Sequence, residues 1–397
     1  MKVYNYIIIG GGMTGSAAVK AIKNNDPDGK IAMFSEEQYE PYDRPPLSKG
    51  LWSGQETAKI FHSIPEKSVD LYLKTTINQI DPEAKKISDD KSQDYTYDKL
   101  LIATGGHPIQ LPNAPEEVIS YRTLDDYKAL KELLAPESNV CVIGGGFIGS
   151  EIAAALNQNG HHVTMVFPEI GISGLRFPKD LALFLNDYYR ENGIQVHNGF
   201  LVKSISKENG KYKVTFENAD EGAIEEAIFD QVVVGIGIRP NIELAKKANL
   251  EVDDGIVVNE HLQTSDPDIF AAGDVAYFVN IPLNKRTRVE HEDHAKKSGA
   301  LAGRNMCGME EKYDHLPFFY SDLFDLGYEA VGELDKKLEI VSDWIEPFKK
   351  GTIFYLDEGK IRGLIFWNLW GKVDEGIKLI KEGITYQKDE LTGLFSE

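Results

Sequence analysis

The chain has 397 residues, of which 42% are hydrophobic, and its formal net charge at pH 7 is −20. A chain of this length exceeds what one hydrophobic core usually organises, so we expect two or three domains. The negative charge repels nucleic acids and anionic membranes, and it disfavours a strongly acidic protein partner unless basic residues cluster on the docking face. The two cysteines, Cys141 and Cys307, are too few for a disulfide framework or a cysteine-based metal site, and they do not form a CxxC pair.

The first residues lead directly into an apolar strand, without the basic and apolar stretches of a secretory leader. No later apolar run approaches the roughly 20 residues that a membrane-spanning helix needs. We therefore expect a soluble, cytoplasmic protein that binds neither nucleic acid nor membrane.

Two glycine-rich turns of one design come after apolar runs, the first run at residues 6–9 and the second at residues 140–143. In such a turn the first glycine allows a tight bend, the second lets the backbone approach a pyrophosphate, and the third lets the next helix pack closely on the strand. The helix N-terminus offers free N–H groups and a positive dipole to the phosphates. One such motif is weak evidence, but two in the same strand-to-helix context predict two dinucleotide sites. The residues expected there are Gly10, Gly12, Thr14 and Gly15 in the first turn, and Gly144, Gly146, Phe147, Ile148 and Gly149 in the second.

The first predicted unit continues from a strand, turn and helix over residues 6–25 to a strand at residues 30–34. Glu36 and Glu37 come after that strand, about 20 residues after the glycine turn, where an acid bonds the ribose hydroxyls of an adenosine. The segment at residues 100–106 is predicted to be a further buried strand that ends in glycine. These elements are typical of a parallel, nucleotide-binding sheet.

Prolines after this point mark a crossover, and we expect a domain boundary near residue 110. The second unit ends at Pro240, after which the chain returns to the first unit through the motif at residues 268–274 and a helix over residues 292–306. The predicted elements of the second unit are a helix at 148–158, a strand at 162–167, a helix near 180–191, alternating strands at 200–218 and a strand at 231–237.

Residues 317–397 have a different pattern, with period-two stretches that predict an antiparallel sheet. The clearest are residues 337–342 and a hairpin over 351–367 with its turn at 357–359, and a short helix is predicted at 373–382. The fold class is therefore α/β, with two Rossmann-like dinucleotide-binding domains and a C-terminal α+β domain. The predicted domains are a discontinuous first domain of residues 1–110 and 239–316, a second domain of residues 111–238, and a third of residues 317–397.

The string Pro-Tyr-Asp-Arg-Pro-Pro-Leu-Ser-Lys at residues 41–49 is more specific than any glycine pattern. It resembles the flavoprotein ferredoxin reductases and the apoptosis-inducing-factor-like oxidoreductases, which share the glutathione-reductase-type architecture. The resemblance implies FAD in the first domain, NAD(P)H in the second, and a C-terminal domain that covers the flavin and often carries a dimer or partner surface. Further matching stretches are residues 103–105, 144–151, 235–240, 272–274, 289–291 and 321–323.

The same resemblance implies roles for individual residues. Asp274 matches the acid that bonds the ribityl chain of FAD, and a buried carboxylate at such a place needs hydroxyl or N–H donors. The FAD contacts implied are Gly10, Gly12, Thr14, Gly15, Glu36, Glu37, Arg44, Lys49, Thr104, Gly105, Arg122, Gly273 and Asp274. The nucleotide contacts implied are Gly144, Gly146, Phe147, Ile148, Gly149, Glu151, Glu169 and Gly237, and Glu290, His291 and Tyr320 match positions near the reacting rings.

Lys49, Glu151 and His291 are the predicted catalytic residues. Hydride transfer needs stacking and orientation of the two cofactors more than an acid or a base. Lys49 and Glu151 match a family ion pair in which the cation stabilises the reduced flavin and the carboxylate places the cation. For Tyr320, packing in a core remains an alternative to a place over the flavin.

The nucleotide preference depends on the residues after the predicted strand that ends at Phe167. No arginine pair is present there for a 2′-phosphate, and Glu169 matches an acid that NADH-binding relatives use on the ribose. NADH is therefore favoured, while Arg176, seven residues after Glu169, keeps NADPH as an alternative.

Two other kinds of site are disfavoured. The string Glu-His-Glu-Asp-His at residues 290–294 looks like a set of metal ligands, but it is not HExxH and lacks a third, distant ligand. Capping of a helix N-terminus by its acids explains it better, and we predict no metal. Residues 40–50 contain no cysteine, which argues against a disulfide reductase and against a water-forming NADH oxidase.

These observations and the resemblance predict an NAD(P)H-dependent FAD oxidoreductase that passes electrons to a small electron-carrier protein, a ferredoxin or a rubredoxin. One alternative is an NADH oxidase or quinone reductase with a small-molecule acceptor. Another is a redox-controlled interaction protein that forms a stable charge-transfer complex and changes its oligomeric state, for example to a homodimer. A nucleotide-binding scaffold without flavin is the remaining alternative.

Overall fold

The structure is a computed structural model that describes residues 2–64 and 68–395. The strands in chain order are β1 (Lys2–Ile9), β2 (Ile31–Phe34), β3 (Val69–Tyr72), β4 (Ile77–Asp81), β5 (Lys86–Asp89), β6 (Asp94–Ile102), β7 (Gly106–Pro108), β8 (Ile119–Ser120), β9 (Asn139–Ile143), β10 (His162–Phe167), β11 (Gln195–Asn198), β12 (Phe200–Glu208), β13 (Lys211–Asn218), β14 (Ile224–Phe229), β15 (Gln231–Val234), β16 (Ile238–Pro240), β17 (Ile256–Val257), β18 (Ile269–Ala271), β19 (Ala276–Asn280), β20 (Lys285–Thr287), β21 (Phe318–Leu323), β22 (Leu326–Gly332), β23 (Glu339–Glu346), β24 (Lys350–Asp357) and β25 (Lys360–Trp367).

The α-helices are α1 (Met13–Asn25), α2 (Leu124–Leu133), α3 (Phe147–Gln158), α4 (Lys179–Glu191), α5 (Glu243–Lys247), α6 (Glu292–Met306) and α7 (Val373–Glu382), and short 3-10 turns lie at Pro45–Ser48, Thr57–Ile60, Gly273–Val275 and Lys388–Leu391.

The chain divides into two compact units. The first unit comprises Met1–Asp43, Thr57–His107 and Arg239–Phe319. The second comprises Arg44–Glu56, Pro108–Ile238 and Tyr320–Glu397. The predicted division into three domains stays a prediction.

The first unit is built on a sheet of strand order β3-β2-β1-β6-β5-β4, in which β18 also pairs with β6. Strands β3, β2, β1, β6 and β18 run parallel, and β5 and β4 are antiparallel additions. The apolar run of β1 is buried on both faces, as expected for a central parallel strand. Register pairs Ile9 with Phe34 and with Ile102, so the carboxyl ends of β1, β2 and β6 lie at one edge of the sheet. This edge is where a parallel sheet binds ligands.

The second unit contains a parallel sheet of order β11-β10-β9-β15-β8, beside which lies the three-stranded antiparallel sheet β12-β13-β14. The predicted strand at residues 162–167 is confirmed at its exact bounds, and the strands expected over 200–218 are β12 and β13. Cys141 lies at the centre of β9 and is fully buried, and burial raises the pKa of its thiol.

The C-terminal part forms the five-stranded sheet β21-β22-β25-β24-β23. The predicted hairpin is confirmed as β24 and β25, and its two turn residues, Glu358 and Gly359, have φ angles of +49° and +78°. Positive φ at both positions is the requirement of a type I′ turn, which explains the glycine. Helix α7 is confirmed at residues 373–382, whereas the strand expected at 337–342 begins two residues later, with β23. None of the described helices is long and apolar enough to cross a membrane.

Candidate functional site

In the first glycine turn, the fold itself requires glycine at positions 10 and 15 but not at position 12. Gly10 has φ +127°, and a Cβ there would lie 2.0 Å from the carbonyl oxygen of Ala103. A Cβ at Gly15 would lie 2.2 Å from the carbonyl oxygen of Gly10. Gly12, the N-cap of α1, has extended backbone angles that any residue adopts, and an added Cβ would meet no atom within 4 Å. The absence of a side chain at Gly12 therefore leaves open space at the helix N-terminus.

The second glycine turn repeats this arrangement independently. Gly144 has φ +118°, and a Cβ there would lie 2.4 Å from the carbonyl oxygen of Gly235. A Cβ at Gly149 would lie 2.0 Å from the carbonyl oxygen of Gly144, but one at Gly146 would meet no atom within 4 Å. Each turn thus presents bare backbone and the first N–H groups of a helix to the same kind of space. This donor set fits the pyrophosphate of a dinucleotide in each unit.

Two acids stand beside the first turn. Glu36 is exposed and Glu37 is half-buried, and both come directly after β2, the parallel neighbour of β1. The hydroxyl of Tyr42 donates to Glu37 Oε2 at 2.6 Å, which limits the freedom of that side chain. Both carboxylates lie at the carboxyl edge of the sheet, where the ribose of a bound dinucleotide is expected.

Thr104 and Gly105 come after β6 at the same edge. The Thr104 hydroxyl donates to the carbonyl oxygen of Asn241 at 3.0 Å, and the Asn241 amide donates back to the Thr104 carbonyl at 2.8 Å. Gly105 has φ +63°. The reciprocal bonds fix the backbone directly after β6.

The turn at Gly273 brings Asp274 to the first glycine turn. Gly273 has φ +74°, and a Cβ there would lie 2.2 Å from Thr14 Oγ1. Its N–H donates to Ser298 Oγ at 3.0 Å, and the Ser298 hydroxyl donates to the carbonyl oxygen of His294 at 2.6 Å. Helix α6 therefore fixes the turn that carries Asp274. Neither Ser298 nor His294 is among the predicted site residues, because no motif signals a bond between segments so far apart in the chain.

The string at residues 290–294, which looks like a set of metal ligands, overlaps the start of α6, and its side chains have different surroundings. His291 is the N-cap, and its ring stacks on that of Phe319 at 4.4 Å. His294 faces the core, with Nδ1 2.8 Å from the Tyr313 hydroxyl, while Asp293 bonds His315. Over residues 2–64 and 68–395, no three histidine, cysteine or acidic side chains are grouped so that they could hold a metal ion.

Arg288 donates to Glu290 Oε1 at 2.6 Å, just before the start of α6. Glu292 and Asp293 lie in the first turn of that helix, where negative charge suits the helix dipole.

Burial lowers the pKa of His294 to about 4, against the opposing influence of the nearby Asp274 carboxylate. The unfolded chain therefore binds more protons than the folded protein between about pH 4 and 6.5, and the free energy of unfolding falls as the pH falls through that window. We expect His294→Gln to reduce the stability difference between pH 7 and pH 4.5 by about 2 kcal/mol. Urea denaturation of both proteins at the two pH values measures this, and an unchanged difference contradicts it.

The second unit brings Lys49 and Glu151 together in an ion pair. Glu151 lies on α3 and is 6% exposed, and its carboxylate also accepts hydrogen bonds of 2.6 Å from Ser48 Oγ and Ser321 Oγ. The Lys49 ammonium lies 5.0 Å from the centre of the Tyr320 ring. Because Tyr320 is 38% exposed, it is not packed in a core.

The predicted contacts Arg44 and Arg122 are also neighbours, since Arg44 Nη1 donates to the carbonyl oxygen of Arg122 at 3.0 Å. Ser48 and Ser321 were not predicted. Both lie in stretches that match the family, residues 41–49 and 321–323, and each stands next to a predicted site residue.

The residues expected near the nucleotide of the second unit surround its glycine turn. Ile148 is 41% exposed although it is apolar, and the Phe147 ring lies 5.6 Å from the guanidinium carbon of Arg176. Glu169 comes shortly after β10 and is partly exposed. Gly237 has φ +104°. Arg176 thus lies near the start of α3, so the NADPH alternative stays open.

Known proteins share both the sequence and the fold of this chain. The family model described as pyridine nucleotide-disulphide oxidoreductase matches residues 4–299, and one described as apoptosis-inducing factor, mitochondrion-associated, C-term, matches residues 302–347. Apoptosis-inducing factor 1, mitochondrial, of Dictyostelium discoideum is 36% identical over 96% of this chain and 79% of its own length. Monodehydroascorbate reductase of Pisum sativum is 34% identical over 91% of this chain and 90% of its own length.

Among solved structures, the covalent putidaredoxin reductase-putidaredoxin complex matches with a TM-score of 0.90 and 26% identity, over 98% of this chain and 95% of that chain. The resemblance predicted from residues 41–49 is confirmed, as is the fold class. The chain belongs to the pyridine nucleotide-disulphide oxidoreductase family and is an FAD-dependent NAD(P)H oxidoreductase.

Proposed function

We propose that the protein takes electrons from NADH and passes them through FAD to a small electron-carrier protein. The observation that carries this proposal is the pair of open helix N-termini at Gly12 and Gly146, one in each unit. Because residues 40–50 contain no cysteine, electrons must pass from the flavin to the acceptor without a protein disulfide. The similarity to a reductase solved in complex with putidaredoxin supports a carrier protein as that acceptor.

FAD, when bound, accepts a hydride and releases its two electrons singly. We propose that the first glycine turn, Glu36 and Glu37 bind its adenosine half, and that Asp274 accepts a hydrogen bond from its ribityl chain. Arg44 and Arg122 contribute further contacts. The second glycine turn and Glu169 bind and orient NADH.

In the same proposal, Lys49 is the cation that stabilises negative charge on the reduced ring, and Glu151 holds its ammonium in place. His291, Glu290 and Tyr320 contribute to the orientation of the reacting rings. A role in orientation suits all of these side chains, because the cofactors carry the reactive atoms.

The acceptor is tested by steady-state NADH oxidation with a ferredoxin, a rubredoxin and putidaredoxin, each compared with oxygen and a quinone. We expect at least one carrier to be reduced about tenfold faster than the small acceptors, because only a docked partner is held in place for transfer. Equal rates for all acceptors would instead favour an NADH oxidase or quinone reductase.

A second candidate acceptor is the monodehydroascorbate radical, which the similarity to the Pisum sativum enzyme favours. Its reduction by NADH, with the radical generated from ascorbate and ascorbate oxidase, distinguishes this candidate from a carrier protein. A redox-controlled interaction protein is favoured by the C-terminal match at residues 302–347. That function requires slow reoxidation of the reduced flavin in air, which its absorbance measures. It also requires dimerisation when NADH is added, which sedimentation under anaerobic conditions measures.

Glu169 tests the nucleotide preference. We expect Glu169→Ala to lower kcat/KM for NADH about tenfold, because a carboxylate to ribose hydrogen bond is lost, and to change kcat/KM for NADPH little. Arg176→Ala is the matched variant, for which we expect a loss with NADPH only. An NADPH preference in the unaltered protein would contradict the assignment of NADH.

We also propose the cytoplasm as the location of the protein, as its sequence pattern predicts. A fluorescent fusion in the source cells, with a membrane and an organelle marker, tests this location.

A further inference from the structure

The Glu151 carboxylate is held from two sides by separate segments of the chain. Ser48 Oγ donates to Oε2 at 2.6 Å, and Ser321 Oγ donates to Oε1 at 2.6 Å, while Lys49 pairs with Oε1. A carboxylate buried to this degree is stable only when donors occupy both oxygens. The two hydroxyls therefore fix the plane of the carboxylate as well as its charge.

Lys49 also has a second acid within reach. Its Nζ lies 3.9 Å from Asp322 Oδ2, and the Asp322 side chain is 53% exposed. A lysine ammonium is a point charge on a flexible stem, so it can be drawn to either carboxylate. Tyr320, Ser321 and Asp322 are consecutive residues of β21. The Lys49 ammonium faces the ring of Tyr320. Strand β21 thus carries one residue that holds Glu151 and one that competes with Glu151 for Lys49.

We propose that Ser48 and Ser321 are positioning residues, which hold the Glu151 carboxylate toward Lys49 and so keep the Lys49 ammonium away from Asp322. Loss of the Ser48 hydroxyl leaves Oε2 without this donor, and loss of the Ser321 hydroxyl leaves Oε1 with Lys49 as its donor. The carboxylate then turns toward water or its remaining donor, and the ammonium moves toward the exposed acid. The effect of this movement on NADH oxidation rests on the proposed function, but the position of the ammonium does not.

The first test uses the protein as purified and measures the acetylation of Lys49 by acetic anhydride, with mass spectrometry of the digested protein. The exposed Lys378 serves as the internal standard for reagent and time. We expect Ser48→Ala and Ser321→Ala to raise the relative acetylation rate of Lys49 about threefold or more, because a lysine released from a buried pair is more accessible. Threonine at either position keeps a hydroxyl and is expected to restore the original rate.

The second test uses the FAD-loaded protein and measures anaerobic flavin reduction by NADH in a stopped-flow instrument. We expect about tenfold slower reduction in each alanine variant at unchanged FAD content, since a hydrogen bond to a charged group is lost. Adding Asp322→Asn to Ser48→Ala removes the competing acid and is expected to recover most of the rate. Ser138→Ala is the matched control, because Ser138 is also a buried serine of the second unit and donates only to the Ala135 carbonyl.

Unchanged acetylation of Lys49 in both alanine variants, with unchanged flavin reduction, overturns the proposal. If adding Asp322→Asn to Ser48→Ala does not recover the rate of flavin reduction, the idea that Asp322 competes with Glu151 for Lys49 is wrong. If an alanine variant does not fold, cysteine at the same position keeps the size but is a weak donor, and it gives the same test. An unaltered protein that NADH does not reduce would refute the proposed function, while the acetylation result would still decide the role of the serines.

Discussion

We expect Lys49→Met to lower the rate at which NADH reduces the flavin about 100-fold, while the protein keeps its FAD. Methionine fills a similar volume, so the packing against Tyr320 survives and the change is one of charge. The loss is large because a cation held in place by a buried partner acts without reorganisation, in contrast to an exposed ion pair. Stopped-flow reduction under anaerobic conditions and the absorbance ratio of flavin to protein measure the two quantities.

Glu151→Gln tests the other half of the pair. We expect a smaller loss, about tenfold, because glutamine keeps the acceptor oxygen but lets the ammonium drift. Lys378→Met, at a 76% exposed position on α7, is the control and leaves the rate unchanged. Equal reduction rates in the unaltered protein and Lys49→Met would remove Lys49 from the site, and loss of FAD in that variant would make it a binding residue.

We expect Gly12→Ala to fold but to lose FAD. Its Cβ meets no protein atom and its backbone angles are ordinary, so we expect the free energy of unfolding of the flavin-free protein to fall by about 1 kcal/mol or less. The methyl group occupies the space that the pyrophosphate needs, and we expect FAD affinity to fall about 100-fold or more. Isothermal titration of flavin-free protein with FAD and urea denaturation measure the two effects.

Two further glycine variants serve as comparisons for this prediction. Gly10→Ala combines a positive φ with a Cβ that clashes with the Ala103 carbonyl, and we expect it to cost more than about 3 kcal/mol of folding free energy. Gly146→Ala repeats the Gly12 change in the second unit, where we expect a raised KM for NADH and full FAD content. A Gly12→Ala protein that remains yellow at normal FAD occupancy would show that the first turn does not face the pyrophosphate.

Local patterns in the sequence predicted much of the fold. The two glycine turns, the strand at 162–167 and the hairpin of β24 and β25 all depend on contacts between near neighbours or on a regular period, which a sequence displays directly. Helix α2 was missed although its N-terminal signal, the capping box of Thr123 and Asp126, is present in the sequence.

The candidate site was less accessible to sequence reasoning. Lys49 and Glu151 are 102 residues apart in the chain, and only the family resemblance linked them. Ser321 is 170 residues from Glu151, and its hydroxyl reaches the carboxylate through the path of β21, which no periodicity encodes. A bond of this kind depends on how distant segments pack, so it had to be seen in the structure.

The freedom at Gly12 and Gly146 has a consequence for how such a protein can change. Since neither position is constrained by its own packing, we expect substitution there to change the affinity of the dinucleotide proposed for that unit with little penalty to folding. On this proposal, the affinities for FAD and for NADH can change one at a time, by natural drift or by deliberate redesign.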